Sequence, residues 1–578
     1  RGSSVDTPFD PFGGDSNWEG WPSWESYAIN MHNRAVGEPP QAYNASDAAD
    51  GLVGGVLPTV IFYLPMLPNG SSIHRYWTYM AVPVADTQGS REQGVLFRFQ
   101  QLQCSGPHKQ PPCRLVRWPL YWDSYWFSRF PGANASDTAK QTLRTGPINA
   151  TSASDFYGAL LESRRWWAAE LAAEGMMELS LPSPQSTNGT WLLMQATHAI
   201  VRSMITRQNT WEPRYGVCPG YGAVEFNGHH DVFTSTATAA LEAGAMPYAR
   251  GVIDYHFSHY VRDDGLVWYR AVAVPASARM LTILALYHSY SGGDDAFVLS
   301  HFRKAHALAS WLMARRATSL QFGKGDPRYG LLRGDAAPTT TSYTDSQPLH
   351  WYASAAEAYR AFSELGRVWA AVGRSSGRAD VAAHAADLLA LAPQLNHDLH
   401  ASLNMTVNVS ASGQRCWQAV AEPSKPPADF RGYAEMLYSG ALTSTHVADI
   451  YTAAAGGGAG CGTPRYLTLG SPSFGGATMA ATTPVGFGYG LLQHDMVERF
   501  LLHYFAISAH AYTRGTFTTP ESADLADRDK PPAPYASPAV VTAPIYLKWV
   551  LAFEDLDAMA LWLGKAVPRQ WLPPPPPP

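Results

Sequence analysis

Residues 346–371 read SQPLHWYASAAEAYRAFSELGRVWAA, and their apolar side chains recur at a helical period. Trp351, Ala355, Tyr359, Phe362 and Val368 form one stripe. A spacing of about 3.6 residues predicts an amphipathic helix that packs through a single face. The segment 489–512 repeats this pattern with Leu492, Met496, Phe500, Tyr504 and Ile507, so several such helices are expected along the chain.

The helical period begins near residue 151 and continues almost to the end of the chain. It predicts about eleven helices, with room for a twelfth: a first helix from Ser154 past Leu171, then 189–209, 230–246, 247–262, 275–291, 294–316, 346–371, 377–401, 432–455, 489–512 and 540–562. Short loops alternate with long loops rich in Gly, Pro and Thr. Long loops in a compact domain are usually functional. We therefore predict six hairpins closed into an (α/α)6 toroid over residues 151–572. An α-solenoid is the alternative, although no repeat of ~34 or ~40 residues is visible.

Residues 1–150 lack the helical period and contain short β-branched and aromatic runs between turns. The runs are Leu57–Leu67, Arg75–Val84, Val95–Cys104 and Cys113–Trp122. In the third run, apolar Val95, Phe97 and Phe99 alternate with their neighbours, which is typical of a half-buried strand. The fold class expected is α+β multidomain, with a β-rich, sandwich-like domain preceding the toroid.

The composition excludes some classes of partner. Charged residues make up 15% of the 578, and the net charge of 42 − 47 = −5 provides no cationic field for nucleic acid. No apolar run approaches the ~20 residues that span a bilayer. A neutral chain with 12% aromatic residues indicates a large globular protein whose partners are neither nucleic acid nor the membrane interior.

Several features indicate a secreted, extracellular protein of a cell wall, matrix or cell-surface assembly. Seven asparagines lie in N-glycosylation sequons: Asn44, Asn69, Asn134, Asn149, Asn188, Asn404 and Asn408. Of five cysteines, Cys104 and Cys113 suit a local disulfide, and Cys416 with Cys461 suits a second.

The last six residues, 573–578, are all proline. Such a run adopts polyproline II and acts as a stiff stalk, through which we expect contact with other extracellular glycoproteins. By composition it is similar to the tracts of hydroxyproline-rich glycoproteins in algal and plant walls.

Four carboxylates in long loops or at helix starts are candidate catalytic groups. Asp231 and Asp345 are expected to open helices, Glu435 lies near the start of the predicted 432–455 helix, and Glu521 lies in the last long loop. Glycosidases place two carboxylates across the scissile bond, one as acid and one as base or nucleophile. Aspartate at a helix start is also a favoured cap, which accounts for Asp231 and Asp345 without catalysis.

Aromatic and polar loop residues are candidates for sugar binding. An aromatic ring can stack on the C–H face of a pyranose. About half of the candidate rings are expected instead to pack in the interior of the protein. The candidates are Trp211, Tyr215, Tyr221, Phe226, His230, Trp268, Tyr343, Trp417 and Arg514. The pair His229-His230 has no third ligand at suitable spacing, so no metal is expected.

Four stretches resemble the six-hairpin glycosidase superfamily, the toroidal glucoamylase-like and rhamnosidase-like enzymes. They are Tyr157–Leu181, Tyr215–Tyr255 with Asp231, Tyr343–Gly366 and Gly490–Leu572, the last containing HAYTRGTFTTPES and LWLGKAVPRQWL. The resemblance implies hydrolysis of a glycosidic bond by paired carboxylates, without a cofactor, on a carbohydrate partner. Many members have a segment containing Trp-Asp at the position where this chain has His229-His230-Asp231.

Two other functions stay open at this point. A toroid with sequons and a polyproline stalk also suits a catalytically inactive module with a structural or adhesive role. A polysaccharide lyase would instead need a Tyr/His/Arg trio, for which Tyr343, His230 and Arg514 are candidates.

Overall fold

The computed structural model describes six strands before residue 150 and most of residues 153–572. Within 153–572 it leaves out residues 177–178, 180, 182–186, 207–210, 214–215, 218–229, 268–272, 336–347, 423–429, 457–466, 476–477, 482–484, 513–516, 518, 526–534 and 556–557. The polyproline run 573–578 also lies outside the described residues.

The six N-terminal strands form one antiparallel sheet in which each strand pairs with the next along the chain. They are β1 (Ala49–Leu52), β2 (Val60–Met66), β3 (His74–Ala85), β4 (Gln93–Cys104), β5 (Cys113–Trp126) and β6 (Gly146–Pro147). The register of β4 and β5 pairs Cys104 with Cys113, the two cysteines predicted to form a local disulfide. That disulfide, and the organisation of this region as a sandwich domain, stay predictions.

In the part of the chain that the structure describes, six helices form a closed inner ring. They are α3 (His230–Glu242), α5 (Val274–Tyr290), α7 (Tyr352–Ser376), α9 (Phe430–Tyr438), α11 (Val485–Gln493) and α14 (Thr542–Leu551). Each contacts the next in this order, and α14 contacts both α11 and α3, so the ring has no free end. These helices are buried on nearly all sides, as expected for elements enclosed by neighbours.

Six further helices among the described residues lie outside this ring. They are α2 (Thr187–Thr206), α4 (Met246–His259), α6 (Asp295–Ser319), α8 (Ala379–Thr406), α10 (Ser444–Gly456) and α12 (Val497–His510). Five of them follow their inner partner after two to five residues, and α2 packs against α14. Two described helices belong to neither the inner nor the outer ring. They are α1 (Ala153–Ala173), which contacts β3 and β4, and the single turn α13 (Ser537–Val540). The twelve paired helices form the predicted (α/α)6 toroid, and the solenoid alternative is wrong.

Local chemistry explains the tight turns between paired helices. Gly377 ends α7 at φ 69°, a left-handed conformation that costs glycine little. The Asp294 carboxylate caps α6 by accepting a hydrogen bond from the Phe297 N–H at 3.1 Å. Because these turns are short, each outer helix must return antiparallel along its inner partner.

Several predicted helix limits were wrong. The predicted 346–371 helix begins at Tyr352, because the segment before it is extended: Trp351 pairs with Val420, and Ala421 N–H donates to His350 O at 2.9 Å. Asp345 therefore does not open this helix. The predicted 432–455 and 489–512 helices are each two helices, interrupted where Gly440 (φ 73°) and Asp495 (φ 59°) have positive φ.

The predicted 540–562 helix ends at Leu551 and is followed by a hairpin of two strands, β15 (Ala552–Asp555) and β16 (Ala560–Leu563). Shorter strands lie in the loops: β7 (Gly216–Val217), β8 (Asn408–Val409), β9 (Arg415–Cys416), β10 (Leu467–Thr468), β11 (Ser471–Gly475), β12 (Thr478–Ala480), β13 (Ser522–Asp524) and β14 (Tyr535–Ala536). A 3-10 turn, Arg569–Trp571, precedes the last described residue.

Candidate functional site

The N-terminal ends of the inner helices and the long loops before them gather at one end of the ring, here called the rim. This follows from the connectivity, because every short turn leaves the opposite end of an inner helix. Backbone hydrogen bonds join neighbouring rim segments: Val274 N–H to Asp335 O at 3.0 Å, and Tyr352 N–H to Ala419 O at 3.0 Å. The rim loops are thus held to one another as well as to their own helices.

The same pattern joins the rim segments on the other side of the ring. Ala536 N–H donates to Thr519 O at 2.8 Å, and β14 pairs with β7, which precedes α3. Ala481 N–H donates to the backbone oxygen of Glu521 at 3.0 Å, next to the paired strands β12 and β13. Glu521 is half-buried and lies in a segment anchored on both sides.

A cluster of charged side chains lies inside the ring below the rim. Arg279 of α5 forms an ion pair with Glu357 of α7, whose side chain is fully buried. The guanidinium also stacks on the ring of Tyr438 in α9, 4.6 Å from its centroid. Since α5 and α9 are not neighbours in the ring, Arg279 spans the interior.

Glu435 of α9 belongs to the same cluster, which we call the upper cluster: Arg279, Glu357 and Glu435. Burial lowers the pKa of Arg279, but the negative charges of Glu357 and Glu435 outweigh it, and the net pKa is raised. The guanidinium therefore stays charged, paired with Glu357 and within electrostatic range of Glu435. Each of the three residues is the sixth of its helix, about 8 Å below the helix start at 1.5 Å per residue.

A second cationic side chain crosses the ring below the upper cluster. Arg360 of α7 pairs with Glu364 at 2.7 Å and lies over the rings of Tyr438 and Tyr489, at 4.3 and 4.8 Å from their centroids. Tyr438 therefore contacts both Arg279 and Arg360. Cations over aromatic faces, desolvated as here, contribute more than they would at the surface.

Several buried polar atoms without a hydrogen-bond partner among the described residues lie near the rim ends of inner helices. They include Trp351 Nε1, Ser354 Oγ, Glu357 Oε2, Ser537 Oγ and Thr542 Oγ1. Buried polar groups in folded proteins are nearly always satisfied by protein or by water. This part of the ring is therefore suited to hold water or the hydroxyl groups of a ligand.

The rim also contains a Ser–His–Glu arrangement. His350 Nδ1 lies 2.6 Å from a Glu422 oxygen, and His350 Nε2 lies 2.9 Å from Ser319 Oγ. A nucleophilic serine must reach its substrate, whereas Ser319 is 0% exposed. The arrangement instead fastens the end of α6 to the segment that enters α7.

Of the predicted catalytic residues, the structure describes three. Asp231 is half-buried in the first turn of α3, at the rim. Glu435 lies deeper than predicted, since it is 7% exposed and more than a turn inside α9. Glu521 lies on the anchored segment described above, and Asp345 lies outside the described residues.

The predicted sugar-binding residues that are described differ in exposure. Trp211 is 39% exposed, with its ring against Gly251 of α4 and Tyr248 beside it. Trp417 is 4% exposed and donates to Asp449 at 3.1 Å, so it packs inside the protein instead of facing solvent.

His230 is 1% exposed at the first position of α3. Burial, with a smaller effect of His230, lowers the pKa of its neighbour His256 well below the ordinary value. The remaining candidates, Tyr215, Tyr221, Phe226, Trp268, Tyr343 and Arg514, lie outside the described residues.

Sequence reasoning missed Arg279 and Glu357. Both lie in the second turn of inner helices and not in the loops, where site residues were expected. The signal was a charged residue within a long stretch of apolar and small residues. Charged side chains are almost never fully buried unless they are paired.

No group of three or more His, Cys, Asp or Glu side chains in the described part of the chain is placed to hold a metal ion. Among the helices that the structure describes, none is long and apolar enough to cross a membrane. Cys416 is disulfide-bonded, while Cys461, its predicted partner, lies outside the described residues.

No protein-family model matches the chain, and no curated protein matches its sequence. Solved structures similar to it include a bacterial glucoamylase complexed with acarbose (11% identity, TM-score 0.43, covering 85% of this chain and 81% of that one). A Klebsiella oxytoca rhamnosidase with rhamnose bound has 10% identity and a TM-score of 0.39, with 85% and 87% covered. A metal-independent α-mannosidase of Streptococcus pneumoniae has 11% identity and a TM-score of 0.39, with 66% and 97% covered.

The contacts among the described helices define a closed ring of six inner and six outer helices, an (α/α)6 toroid.

Proposed function

We propose that the protein is a secreted glycoside-hydrolase-like domain that acts on an extracellular polysaccharide or glycan at its rim. The observation that carries this proposal is the upper cluster, in which Arg279 pairs with Glu357 and also feels the charge of Glu435, about 8 Å below the helix starts. Asp231 stands above it at the start of α3. Carboxylates held at the end of a toroid are the groups that hydrolysis of a glycosidic bond requires.

The charges around the carboxylates indicate which of them acts as base or nucleophile and which as general acid. A carboxylate beside a guanidinium is favoured in its ionised form, which suits a base or nucleophile more than a general acid. Glu435 therefore takes the basic role in this proposal. Asp231 or Glu521, both half-buried at the rim, supplies the second carboxyl group.

The polar lining near the rim supports a carbohydrate ligand. Sugar hydroxyl groups both donate and accept hydrogen bonds, as do Ser354 and Thr542, and they can satisfy Glu357 Oε2. The exposed ring of Trp211 adds an apolar face outside α4.

Secretion is proposed on independent grounds. Asn404 and Asn408, two of the seven sequon asparagines, are exposed at the end of α8 and in β8. The disulfide of Cys416 is typical of an oxidising compartment. Carbohydrate is the expected partner, and the polyproline run is the expected contact to other glycoproteins.

The test is turnover of a panel of plant, algal and bacterial polysaccharides by the full chain, followed by reducing-end release. We expect Glu435→Gln and Asp231→Asn each to lower kcat at least about 100-fold, since general acid–base catalysis contributes that much. Asp495→Asn, at an exposed carboxylate in the turn between α11 and α12, is the matched control and should leave the rate unchanged. Turnover that persists in both Glu435→Gln and Asp231→Asn would contradict the assignment of catalytic roles to these two carboxylates.

A second candidate is a non-catalytic carbohydrate-binding module with a structural role. It is favoured by the filling of the ring, since Arg279, Tyr438 and Arg360 are stacked across its interior. Glycan binding that is measurable by calorimetry, without turnover of any substrate, would select this function. Release of an unsaturated uronide, detected by its ultraviolet absorbance, would select the lyase instead.

A further inference from the structure

A cavity lies in the ring at the end of α9 that is farther from the rim. It measures about 260 Å³ with its open mouth, and it is lined by α7, by the turn after α9 and by Tyr489 of α11. The α7 part of the lining consists of Arg360, Ser363, Glu364 and Arg367. These four residues share one face of the helix, because their spacing follows the helical period. We call this space the lower cavity.

Arg360 brings a guanidinium group to the lower cavity, although its side chain is only 5% exposed. Its Nε donates to Glu364 at 2.7 Å, and its Nη1 donates to the backbone oxygen of Tyr438. Among the described residues, Nη2 has no hydrogen-bond partner. Buried donors in folded proteins are nearly always satisfied by protein, by water or by a bound ion. Nη2 is therefore the nitrogen that Arg360 has available for an occupant of the cavity.

Two further donors lie on the same face of α7. Arg367 is exposed, and its contact is a weak one, from Nη1 to the Met559 sulfur at 3.6 Å. Within the described part of the chain, Arg367 forms no salt bridge. The hydroxyl group of Ser363, which is half-buried, lies between the two arginines along the helix. The lower cavity thus combines two guanidinium groups and a hydroxyl group that can all donate to one ligand.

The charges of the lining favour a negative ligand. Its two guanidinium groups oppose a single carboxyl group, Glu364, whose pKa is raised by burial despite the attraction of Arg360. The lining therefore keeps a positive excess whether Glu364 is ionised or protonated. Carbonyl groups at the end of a helix repel anions. At the end of α9, however, Tyr438 O is occupied by Arg360, and Gly440 O accepts from Gln493 Nε2 at 3.4 Å.

We propose that the lower cavity is a binding site for a small inorganic anion, a halide or a phosphate. Arg360 Nη2, the Arg367 guanidinium and the Ser363 hydroxyl donate to this anion. Hydrogen bonds from a guanidinium to an anion are charge-assisted and stronger than those between neutral groups. The anion completes the bonding of Arg360, which joins α7 to the end of α9, so its binding stabilises the ring. The site does not depend on the function proposed for the rim.

Thermal unfolding of the full chain in chloride and, separately, in phosphate tests the site. A ligand that binds only the folded state stabilises it by mass action, so a millimolar Kd should give a rise in Tm of about 1–3 °C at ~100 mM anion. Arg367→Gln should lose at least half of this rise, because it removes a charged donor. Arg374→Gln, at an exposed arginine of α7 outside the lining, is the matched control and should keep the full rise. General effects of salt act on both variants alike.

Ser363→Asp separates binding of an anion from a purely structural role of Arg367. The new carboxylate takes the place of the anion beside the two arginines. The Tm of this variant should therefore not respond to chloride or phosphate, and without added anion it should be no lower than that of the wild type. A wild-type Tm that responds to neither anion would show that water alone fills the lower cavity, and would overturn the proposal. Equal rises in the wild type, Arg367→Gln and Ser363→Asp would overturn it as well. None of these measurements involves glycan turnover.

Discussion

Arg279 of α5 and Glu357 of α7 form an ion pair inside the ring, with Glu357 fully buried. The two residues are 78 positions apart in the chain. Their meeting requires α5 and α7 to be neighbours in the inner ring, and it brings the guanidinium within reach of Tyr438 in α9. Together with Tyr438, the ion pair therefore links the three consecutive inner helices α5, α7 and α9 near the rim.

Arg279→Met should destabilise the protein by about 3–5 kcal/mol, because Glu357 is left as a buried carboxylate without its counter-charge. Replacing both residues, Arg279→Met with Glu357→Leu, removes the charge as well as the pair and should recover at least half of the loss. Urea unfolding of the single and double variants measures this. A double variant no more stable than Arg279→Met would show that burial of the carboxylate is not the cause.

Gly486→Ala should destabilise the ring by about 3 kcal/mol or more, since a Cβ at this position of α11 would overlap the backbone carbonyl of Ala434 in α9. Overpacking against backbone cannot be relieved by a side-chain rotation. Gly158→Ala is the control, because nothing lies within 4 Å of a Cβ there and the helix α1 gains propensity. Thermal unfolding should show a lower Tm for the first and an unchanged or slightly higher Tm for the second.

Acid should destabilise the turn between α9 and α10. Burial, followed by the nearby His400, Arg415 and His494, lowers the pKa of His446 to about 4. The unfolded chain titrates near ~6.5, so the folded form prefers the neutral imidazole. The neutral imidazole of His446 contributes fully to the free energy of unfolding above pH ~6.5. This contribution is lost as the pH falls toward 4, and the loss is on the order of 2 kcal/mol in total.

The variant His446→Asn tests this dependence. The asparagine oxygen can accept the hydrogen bonds that His446 Nδ1 now accepts from Thr443, and it does not titrate. Between pH 7 and 4.5, its free energy of unfolding should fall less steeply than that of the wild type. His397→Asn, at an exposed histidine on α8, should follow the wild-type slope. Parallel slopes for both variants would rule out His446 as the acid-sensitive group.

Asn404 and Asn408 should carry N-linked glycans when the chain is made in a eukaryotic secretory host. Both are exposed, and they lie where α8 ends and β8 begins. Intact mass before and after glycosidase treatment should show their carbohydrate, and Asn404→Gln with Asn408→Gln should each remove one glycan. Secreted protein with both asparagines unmodified would contradict the extracellular prediction.

The helices were predictable from the sequence because their signal is local. The stripe through Ala355, Tyr359 and Phe362 lies within α7, although the helix starts at Tyr352 and so excludes Trp351. The interruptions at Gly440 and Asp495 were missed, since apolar periodicity continues across both. A single residue with positive φ ends a helix without changing the pattern of apolar residues around it.

The candidate site was only partly predictable. Asp231 was found at a helix start by its position after a long loop, and it lies there. Glu435 was placed at the start of a long helix, whereas it is buried in the second turn of a short one. Trp417 was expected in a loop open to sugar and packs against Asp449 and His446.

The sequence by itself determined the helical content, the alternation of short and long loops, and the scarcity of charge, because each is a property of neighbouring residues. Only the tertiary structure decided that α14 closes the ring against α3, and that Arg279 pairs with Glu357 inside it within electrostatic range of Glu435. A helical period specifies which face of a helix is buried, but not which other helix covers that face. That choice depends on packing between segments far apart in the chain, and the buried charges are stable only where it brings them together.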